Sequence, residues 1–318
     1  MRLLPEKDRF SLNETRPHAL FSFGTLLDER VQKTIFGQAV PQSPAALAGH
    51  ATRPVRITDP EVIATSGLDV HLTLERRIGA EVEGAVLHLT DADLAAADDY
   101  EVDDYTRRRV RLSSGASAWA YLDARPLRSA SRIVIVGDSI AYGRCDPQGG
   151  WAARLAVGHI ATDETDNRVF NLAVPGSTLA EAAEQTPALL PARRPDTVMV
   201  AAGINDMASA GTDSGPVRLE ESLEALAATA LAYGARLVVV GPTWLDEDRA
   251  PVYEGLSFTH ERASTLRENL RSWCAAHHID HLDPWEPLRD RPDLLADGLH
   301  PTPEGHDALH RHLTGLAF

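Results

Sequence analysis

The hydrophobic pattern divides the chain into two parts with different periodicity. After Ser131, short and continuous apolar runs alternate with amphipathic segments. Continuous apolar strands are typical of a parallel sheet covered on both faces, and intervening helices supply its crossovers. We therefore predict an α/β fold for residues 132–318, with three α/β/α layers around a five-stranded parallel sheet. The predicted strands are RIVIVG, NRVFNLA, PDTVMVAAG, ARLVVVGP and IDHLDP, and the predicted helices lie near residues 150–159, 178–190, 219–234, 261–277 and 303–315.

The first half of the chain has shorter β-like runs and one helical segment. The runs HALFSFGTLL, EVEGAVLHLT, RRRVRLSS and SAWAYLDA flank the alanine-rich segment DADLAAADDYE, with Thr90 at the N-cap position. This mixture predicts a smaller α+β domain over residues 18–124, preceded by an extension over residues 1–17. Residues 125–131 are polar and contain one proline and two serines, which predicts a linker.

Composition excludes several classes of partner. A net charge of -15 disfavours nonspecific binding to nucleic acid or to an anionic membrane surface. The N-terminal stretch lacks the apolar core of a signal peptide, and no apolar run approaches the roughly 20 residues of a membrane span. Two cysteines, Cys145 and Cys274, do not make a disulfide framework. We expect a cytoplasmic protein with no nucleic-acid or membrane partner.

Polar residues follow the ends of several predicted parallel strands. Ser139 follows the first strand, Gly176 the second and Asn205 the third, while Asp297 and His300 precede the last helix. Because the carboxyl ends of parallel strands meet at one edge of a sheet, these residues are expected to share a site.

These residue types suit ester hydrolysis. Ser139 supplies a nucleophilic hydroxyl, His300 a base, and Asp297 a carboxylate that orients the imidazole. The backbone N–H groups of Ser139 and Gly176 and the amide of Asn205 are candidate oxyanion donors. Each motif alone has a plain structural interpretation, since GDS is common in turns and DxxH is common on surfaces. The four motifs together, in order and each at a strand end, indicate a serine hydrolase.

The second half resembles the SGNH/GDSL hydrolase superfamily over residues 133–315. The segments that carry the resemblance are GDSIAYG, AVPGST, GIND and DGLHPTPEGH. The family includes esterases, lipases, thioesterases, carbohydrate acetyl esterases and some acyltransferases, and it needs no metal.

The resemblance implies a role for each matched residue. Ser139, Asp297 and His300 would be catalytic, and Ser139, Gly176 and Asn205 would form the oxyanion hole. Asp138, next to the serine, is expected to contact substrate.

Aromatic residues after strand ends are candidates for the acyl pocket. Trp151, Trp244, Tyr253 and Phe258 have this placement, with core packing as the open alternative. The loop over residues 243–258 is long enough to act as a lid. Because that loop is acidic rather than apolar, we expect a small, soluble acyl substrate.

The first half carries a weaker chemical pattern. Backbone N–H groups at Gly24–Leu26, at a strand-to-helix junction, could hold a carboxylate. Glu101 and Tyr105 lie in the acidic segment DDYEVDDYTRRRV, where like charges raise a carboxyl pKa toward the range useful for proton transfer. A solvated acidic turn is the alternative, and the residues alone favour it.

Residues 18–122 resemble the γ-glutamylcyclotransferase-like (AIG2-like) fold, a small β-barrel with helices. The family's YGTL appears as FGTL, and its LDxYE…Y.R segment appears as ADDYEVDDYTRR. The resemblance implies that Glu101 shuttles protons during release of 5-oxoproline. It also implies a substrate site at Phe23, Gly24, Thr25, Leu26 and Tyr105. Phe23 departs from the family by lacking the tyrosine hydroxyl.

We expect a carboxylic ester hydrolase that acts on a small-molecule acyl substrate without a cofactor or metal. An acyltransferase that uses the same site is an alternative. A bifunctional enzyme whose first domain cleaves a γ-glutamyl amide is another. In a further alternative the first domain only binds ligand or mediates dimerisation, and a homo-oligomer is left open.

Overall fold

The computed structural model describes residues 15–56, 70–208, 215–253 and 256–318, and these residues form two sheets of five strands. The strands are β1 His18–Ser22, β2 Gln42–Arg56, β3 Val70–Leu89, β4 Tyr105–Arg111, β5 Ser117–Asp123, β6 Arg132–Gly137, β7 Arg168–Asn171, β8 Thr197–Ala201, β9 Arg236–Val240 and β10 Asp280–Leu282.

Helices surround both sheets. They are α1 Glu29–Phe36, α2 Asp91–Tyr100, α3 Ser139–Tyr142, α4 Gly150–Thr162, α5 Leu179–Leu189, α6 Ile204–Ala208, α7 Gly215–Ala232, α8 His260–His277 and α9 Pro303–Ala317, with 3₁₀ turns at Thr25–Leu27, Glu286–Leu288 and Pro292–Leu294. Within the described ranges, no helix has both the length and the apolarity needed to cross a bilayer.

The second sheet has the strand order β10-β9-β8-β6-β7, and its pairs are parallel. Successive residues of β6 alternate between two cores: Ile133 and Ile135 pack in one, and Val134 and Val136 pack in the other. The first core also takes residues of α4 and α9, whereas the second takes residues of α5, α7 and α8. The predicted three-layer α/β/α architecture is therefore confirmed.

The first sheet has the strand order β2-β3-β1-β5-β4, with β1 and β5 parallel and the other pairs antiparallel. A backbone hydrogen bond from Ser113 N to Ala46 O (2.9 Å) joins the end of β4 to β2 at the opposite edge. The sheet thus curls around an apolar core that includes Phe21, Leu47 and Val110. Helix α2 begins at Thr90 with a capping box, as its sequence predicted. These features confirm the predicted smaller α+β domain.

Strand β2 was not predicted from the sequence. Pro44 and Pro54 interrupt its pattern, and Gly49 marks a β-bulge between Ala48 and His50. Prolines are tolerated because β2 is an edge strand that pairs only with β3 in this sheet, so one side of it needs no N–H donors. The pattern that disfavours a central strand is therefore compatible with an edge strand.

The segment over residues 125–131 joins the two sheets and packs against the second. Leu127 is fully buried in the core that α4 and α9 share, and its N–H donates to Ala317 O (2.9 Å). Of the predicted extension over residues 1–17, residues 1–14 lie outside the described ranges. Arg16, which is described, donates to Asp93 Oδ2 at 2.7 Å.

A buried ionic cluster connects the two halves. Asp280, at the start of β10, accepts from Arg236 Nε (2.5 Å) and Nη2 (2.9 Å). Arg108 of β4 donates to the same carboxylate at 2.8 Å, and Arg236 also donates to Asp123 O. Burial alone would raise the pKa of Asp280, but the two guanidinium groups outweigh it and hold this pKa below its ordinary value. The carboxylate is therefore kept ionised at the domain boundary.

The first half also caps a helix of the second half. Arg111 Nη1 donates to Ala232 O (2.5 Å), and Arg76 Nη1 donates to Gly234 O (3.1 Å). These carbonyls lie at and just after the end of α7, where the last turn has no intrahelical donors. Two arginines of the first sheet supply them.

Candidate active site

The turn after β6 presents Ser139. Asp138 is the N-cap of the one-turn helix α3, and its Oδ1 accepts from Ile140 N at 2.9 Å. Gly143 ends the helix with a φ of 92°. At Gly137 a β-carbon would lie 2.5 Å from Ala201 O, so only glycine allows β8 to approach this closely. The strand therefore turns sharply into a helix, with Ser139 at its first position.

A chain of hydrogen bonds joins the three predicted catalytic residues. Ser139 Oγ lies 2.8 Å from His300 Nε2, and His300 Nδ1 lies 2.7 Å from Asp297 Oδ2. Because the carboxylate can only accept, Nδ1 carries the proton and Nε2 accepts from the serine hydroxyl. The structure thus brings Ser139, His300 and Asp297 together in the order that proton transfer requires.

Local hydrogen bonds hold the orienting carboxylate. Asp297 Oδ1 accepts from the backbone N–H groups of Leu299 (3.0 Å) and His300 (2.8 Å). Burial opposes ionisation, but these bonds and the imidazole of His300 outweigh it and keep the pKa of Asp297 below its usual value. At His300 burial dominates and lowers the pKa, although Asp297 opposes the shift. The imidazole is therefore neutral at neutral pH, as a base must be.

Gly298 fixes the loop between the carboxylate and the imidazole. Its φ is 86°, and a β-carbon there would lie 2.6 Å from Asp246 O. Asp246 N donates to Gly298 O at 2.8 Å, which pins the loop from the other side. The long loop over residues 243–258 thus contacts the segment that carries Asp297 and His300.

The other two predicted oxyanion donors lie on a loop, at Gly176, and on the short helix α6, at Asn205. Val174 N donates to Gly137 O (2.9 Å), and Asn171 Nδ2 donates to Ala141 O (2.9 Å). These bonds hold the loop with Gly176, which is exposed with a φ of 88°, beside α3. Asn205, in α6, donates from Nδ2 to Ser177 O at 2.9 Å. The loop of Gly176 and the helix of Asn205 are therefore bonded to each other.

Asp138 and Trp151 lie deeper than the sequence suggested. Asp138 is buried, which raises its pKa to about 7, although backbone N–H groups oppose the shift. Its observed contact caps α3, and contact with substrate stays a prediction. Trp151 is 2% exposed and packs in the core that α4 and α9 share. Core packing, the alternative left open above, accounts for its position.

The ends of the loop over residues 243–258 are packed rather than open. Trp244 and Phe258 are buried in the same core, and Tyr253 packs edge-on against Phe258 with ring centroids 6.3 Å apart. Residues 254–255 lie outside the described ranges. The described part of this loop is anchored at both ends, and a lid function stays a prediction.

Two residues beside the site had no predicted role. His306 is fully buried; its Nδ1 accepts from Trp151 N (3.3 Å), and its Nε2 donates to Arg144 O (3.1 Å). Arg144 N in turn donates to Ser139 O at 2.9 Å. His306 therefore ties α9 to the turn that carries the nucleophile. The second histidine of the HPTPEGH segment was visible in the sequence, but its partners lie about 150 residues away.

Cys145 is the second unpredicted neighbour. It is exposed and has a φ of 69°, and burial raises the pKa of its thiol, as does the charge of Asp297. Its sulfur, an Asp297 carboxylate oxygen and a His300 ring nitrogen all lie within 4.8 Å of one another. A thiol therefore borders the imidazole and carboxylate pair.

In the first half, the predicted proton carrier Glu101 lies near a polar cluster. Glu101 is the C-cap of α2, and burial, with the charge of Asp98, raises its pKa to about 7. Asp98 accepts from Tyr121 OH (2.8 Å) and from Arg107 Nε (2.9 Å). Tyr121 was not predicted to join this cluster, because it comes from strand β5, which lies outside the segment that carries Glu101 and Tyr105.

The FGTL segment forms a tight turn. Leu27 N donates to Gly24 O and Asp28 N donates to Thr25 O, both at 3.0 Å. Phe23 is half-buried against the core of the curled sheet, while Leu26 is buried in the cluster that also takes Tyr121. Tyr105 begins β4 opposite Asp123. Substrate contacts of these residues stay predictions.

Two protein-family models match the chain. The model described as "GDSL-like Lipase/Acylhydrolase family" matches residues 135–308, more than half of the chain. The model described as "Gamma-glutamyl cyclotransferase, AIG2-like" matches residues 20–138. Both resemblances seen in the sequence motifs are thereby confirmed.

Individual relatives match over part of their length. The chain is 32% identical over 134 residues to Esterase TesA of Pseudomonas aeruginosa, a match that covers 42% of this chain and 64% of that protein. The match therefore spans less than two thirds of that relative. A crystal structure of TesA shares 26% identity with a TM-score of 0.45, covering 58% of this chain and 96% of its own. The lipase/acylhydrolase from Enterococcus faecalis shares 23% identity with a TM-score of 0.48, covering 58% and 95%.

Proposed function

The chain belongs to the GDSL-like lipase/acylhydrolase family, and we propose that it hydrolyses a small, soluble acyl ester at Ser139. The observation that carries the proposal is the hydrogen-bonded series Ser139, His300 and Asp297, which begins at the carboxyl end of a parallel strand. Nucleophile, base and orienting carboxylate are each within hydrogen-bond distance of the next.

The reaction follows from these contacts. Ser139 Oγ attacks the acyl carbonyl carbon while its proton passes to His300 Nε2, and the carbonyl oxygen becomes an oxyanion. The C–O bond to the alcohol then breaks, and the leaving oxygen takes the proton from Nε2. A water molecule attacks the acyl-serine in the same way, giving its proton to His300, and the serine oxygen leaves with that proton. Asp297 stabilises the imidazolium at each stage.

Three donors are proposed for the oxyanion. They are the backbone N–H groups of Ser139 and Gly176 and the side-chain amide of Asn205. The first position of α3 favours negative charge at Ser139. The bond between Asn205 and Ser177 O supports the proposal because it orients the amide and the loop that carries Gly176 together.

The loop over residues 243–258 supports a soluble substrate. Its Asp246, Glu247 and Asp248 are acidic, and its apolar Trp244, Leu245 and Phe258 are buried in the core. An acidic rim does not favour an aggregated lipid surface. Transfer of the acyl group to an alcohol or amine at the same serine is the alternative outcome.

The direct test replaces the nucleophile. Ser139→Ala is expected to lower kcat for p-nitrophenyl acetate by roughly 10⁴-fold or more while the far-ultraviolet circular dichroism stays unchanged. Ser222→Ala is the matched control, because Ser222 is buried on α7 and its hydroxyl, within the described part of the chain, donates to Arg218 O of its own helix. A serine-reactive phosphonate should add one adduct, at Ser139. Undiminished hydrolysis by Ser139→Ala would refute the proposal, and product analysis with added alcohols or amines separates hydrolysis from transfer.

We propose a second activity for the first domain, cyclotransfer on a γ-glutamyl amide. Glu101, with its pKa raised to about 7, is suited to both accepting and donating a proton near neutrality. It would take a proton from the attacking α-amine as the C–N bond of the five-membered lactam forms. It would return that proton to the amine that leaves with the broken γ-amide bond, giving 5-oxoproline.

The test compares two neighbouring carboxylates. Glu101→Gln should abolish 5-oxoproline release from a panel of γ-glutamyl amines, whereas Asp99→Asn, at an exposed position of the same helix, should not. Release that survives in Glu101→Gln would overturn the assignment. If the wild type releases none, the first domain is a binding or dimerisation module.

A further inference from the structure

A cavity of about 690 Å³ lies between the two halves, and none of the steps proposed above uses it. Strands β4 and β5 of the first sheet form one wall, with Arg107, Arg109 and Trp119. Helices α7 and α8 form the opposite wall, with Ala228 and Trp273. Its volume lies within the range of small-molecule sites, about 300–1,000 Å³.

The cavity and the serine site lie at opposite ends of the strands of the parallel sheet. Its floor includes Arg236, the first residue of β9, and Ile279, just before β10. These are the amino ends of strands, whereas Ser139 follows the carboxyl end of β6. In a parallel sheet the two sets of ends lie at opposite edges, so an occupant of this cavity is not the acyl group held at Ser139.

The walls suit a flat, apolar molecule. The guanidinium groups of Arg107 and Arg109 lie over the indole of Trp119, 4.6 and 4.5 Å from the ring centroid. The helical wall facing them combines the methyl groups of several alanines with the larger side chains of Leu231, Trp273 and His277. Planar ligands pack well on guanidinium and indole faces.

The charges favour an anion. Arg107 is paired with Asp98, and Arg108 and Arg236 are paired with Asp280. Arg109 is exposed, and among the described residues it makes neither an ion pair nor a hydrogen bond. An arginine left without a carboxylate in a chain of net charge -15 is a ready partner for an anionic group.

Other groups that line the cavity limit the charge of its ligand. Trp273 is 6% exposed and contributes part of its indole to the helical wall. Glu224 on the α7 wall is acidic, which disfavours a ligand that bears two negative charges. Asp91 is already bonded to His18 at 2.6 Å. One anionic group is therefore the best match.

We propose that this cavity is a binding site for an aromatic monocarboxylate, with the ring between the Trp119 and alanine walls and the carboxylate on Arg109. Each half of the chain supplies one wall, so the ligand binds only when the halves are docked. The proposal does not depend on either activity proposed above.

The test uses a pair of probes that share the naphthalene ring and have nearly the same shape, the anion 2-naphthoate and its neutral analogue 2-naphthamide. Isothermal titration calorimetry should show one site for 2-naphthoate on the full chain, with binding of the amide at least about tenfold weaker. Arg109→Gln should weaken 2-naphthoate about tenfold and leave 2-naphthamide unchanged. Arg53→Gln, on the exposed edge strand β2, is the matched control and should change neither.

A second variant tests where the probe binds rather than which charge binds it. Ala228→Trp, at an accessible position of the alanine wall, should fill the cavity and abolish binding of both probes while esterase activity is kept. Ser139→Ala should bind 2-naphthoate like the wild type, which separates this site from the serine. Equal affinities for the two probes, binding that survives Ala228→Trp, or no heat of binding at millimolar probe with the folded protein would each overturn the proposal.

Discussion

The parallel sheet has a carboxyl edge, where its strands end, and an amino edge, where they begin. The two hold buried polar groups in different ways. At the carboxyl edge, hydrogen bonds run from Ser139 to His300 to Asp297, and the serine oxygen at the start of the series keeps a lone pair that no bond uses. At the amino edge, Asp280 receives bonds on both oxygens, from Arg236 and Arg108. The Asp280 side chain, 5% exposed, is more deeply buried than that of Asp297, 33% exposed, and both of its oxygens accept hydrogen bonds, whereas the serine oxygen can still form a bond.

This difference separates a reactive group from a structural one. Asp280 and Asp297 both have pKa values below the ordinary range, so the direction of the shift does not distinguish them. What distinguishes them is the partner. Asp297 faces an imidazole that can pass a proton on, whereas Asp280 faces guanidinium groups that do not titrate in this range.

The largest expected effect is a loss of activity on replacing Asp297, at the carboxyl edge. In Asp297→Asn the amide oxygen can still accept from the backbone N–H groups of Leu299 and His300. Its NH₂ would face Nδ1, which must then accept, so Nε2 carries the proton and cannot take one from Ser139. We expect kcat for p-nitrophenyl acetate to fall by about 10³–10⁴-fold with little change in stability. A loss below tenfold would contradict the role of Asp297.

At the amino edge the expected loss is in stability. Asp280→Asn leaves two guanidinium groups without their carboxylate and should lower the free energy of unfolding by about 3–5 kcal/mol. Urea unfolding measures this, while kcat per folded molecule should be unchanged. Asp283→Asn is the matched control, because its pair with Arg267 is partly exposed and should be worth about 1 kcal/mol or less. Equal losses in the two variants would remove the contrast between buried and exposed pairs.

A smaller effect is expected from the thiol beside the imidazole. Alkylation of Cys145 with iodoacetamide should lower kcat/KM roughly tenfold to a hundredfold, because the added group crowds Asp297 and His300. The raised pKa of this thiol means that the reaction accelerates as the pH rises above 7. Cys145→Ser should resist the reagent, since Cys274 is buried. Inactivation of Cys145→Ser at the wild-type rate would assign the effect to another group.

The smallest effect is on pH dependence. His300 must be neutral to accept the serine proton, and its pKa is lowered below 6.5, so the acidic limb of kcat/KM should have its midpoint below pH 6.5. The contribution of Asp280 to stability depends on pH over a different, lower range. Its pKa is depressed, so this contribution is present above the ordinary value of 3.8 and is lost only as the pH falls through the lower, folded-state value. Between pH 4 and 6.5, activity should fall while the Asp280 contribution to stability persists. A limb centred above pH 6.5 would contradict the effect of burial on His300.

The sequence predicted the second half better than the first for physical reasons. Strands such as Arg132–Gly137 are continuous apolar runs, and their polar ends are local signals, so the residues that meet at the carboxyl edge could be chosen in advance. Strand Gln42–Arg56 was missed because an edge strand tolerates Pro44 and Pro54. The pair of Arg108 with Asp280, 172 residues apart, depends on how the halves dock, and so does the cavity beside it. His306 and Cys145 were missed because their neighbours come from other elements of the second half.

The capping of helix α7 by Arg76 and Arg111 bears on how such a two-part chain could arise and change. Domains that are joined only by a tether can be exchanged between genes without loss. Here each half completes hydrogen bonds of the other, so recombination that replaced one half would leave the carbonyls of Ala232 and Gly234 to water. Because the acceptors are backbone carbonyls, which any residue supplies, we expect these contacts to constrain the two arginines of the first half rather than the residue types at 232 and 234.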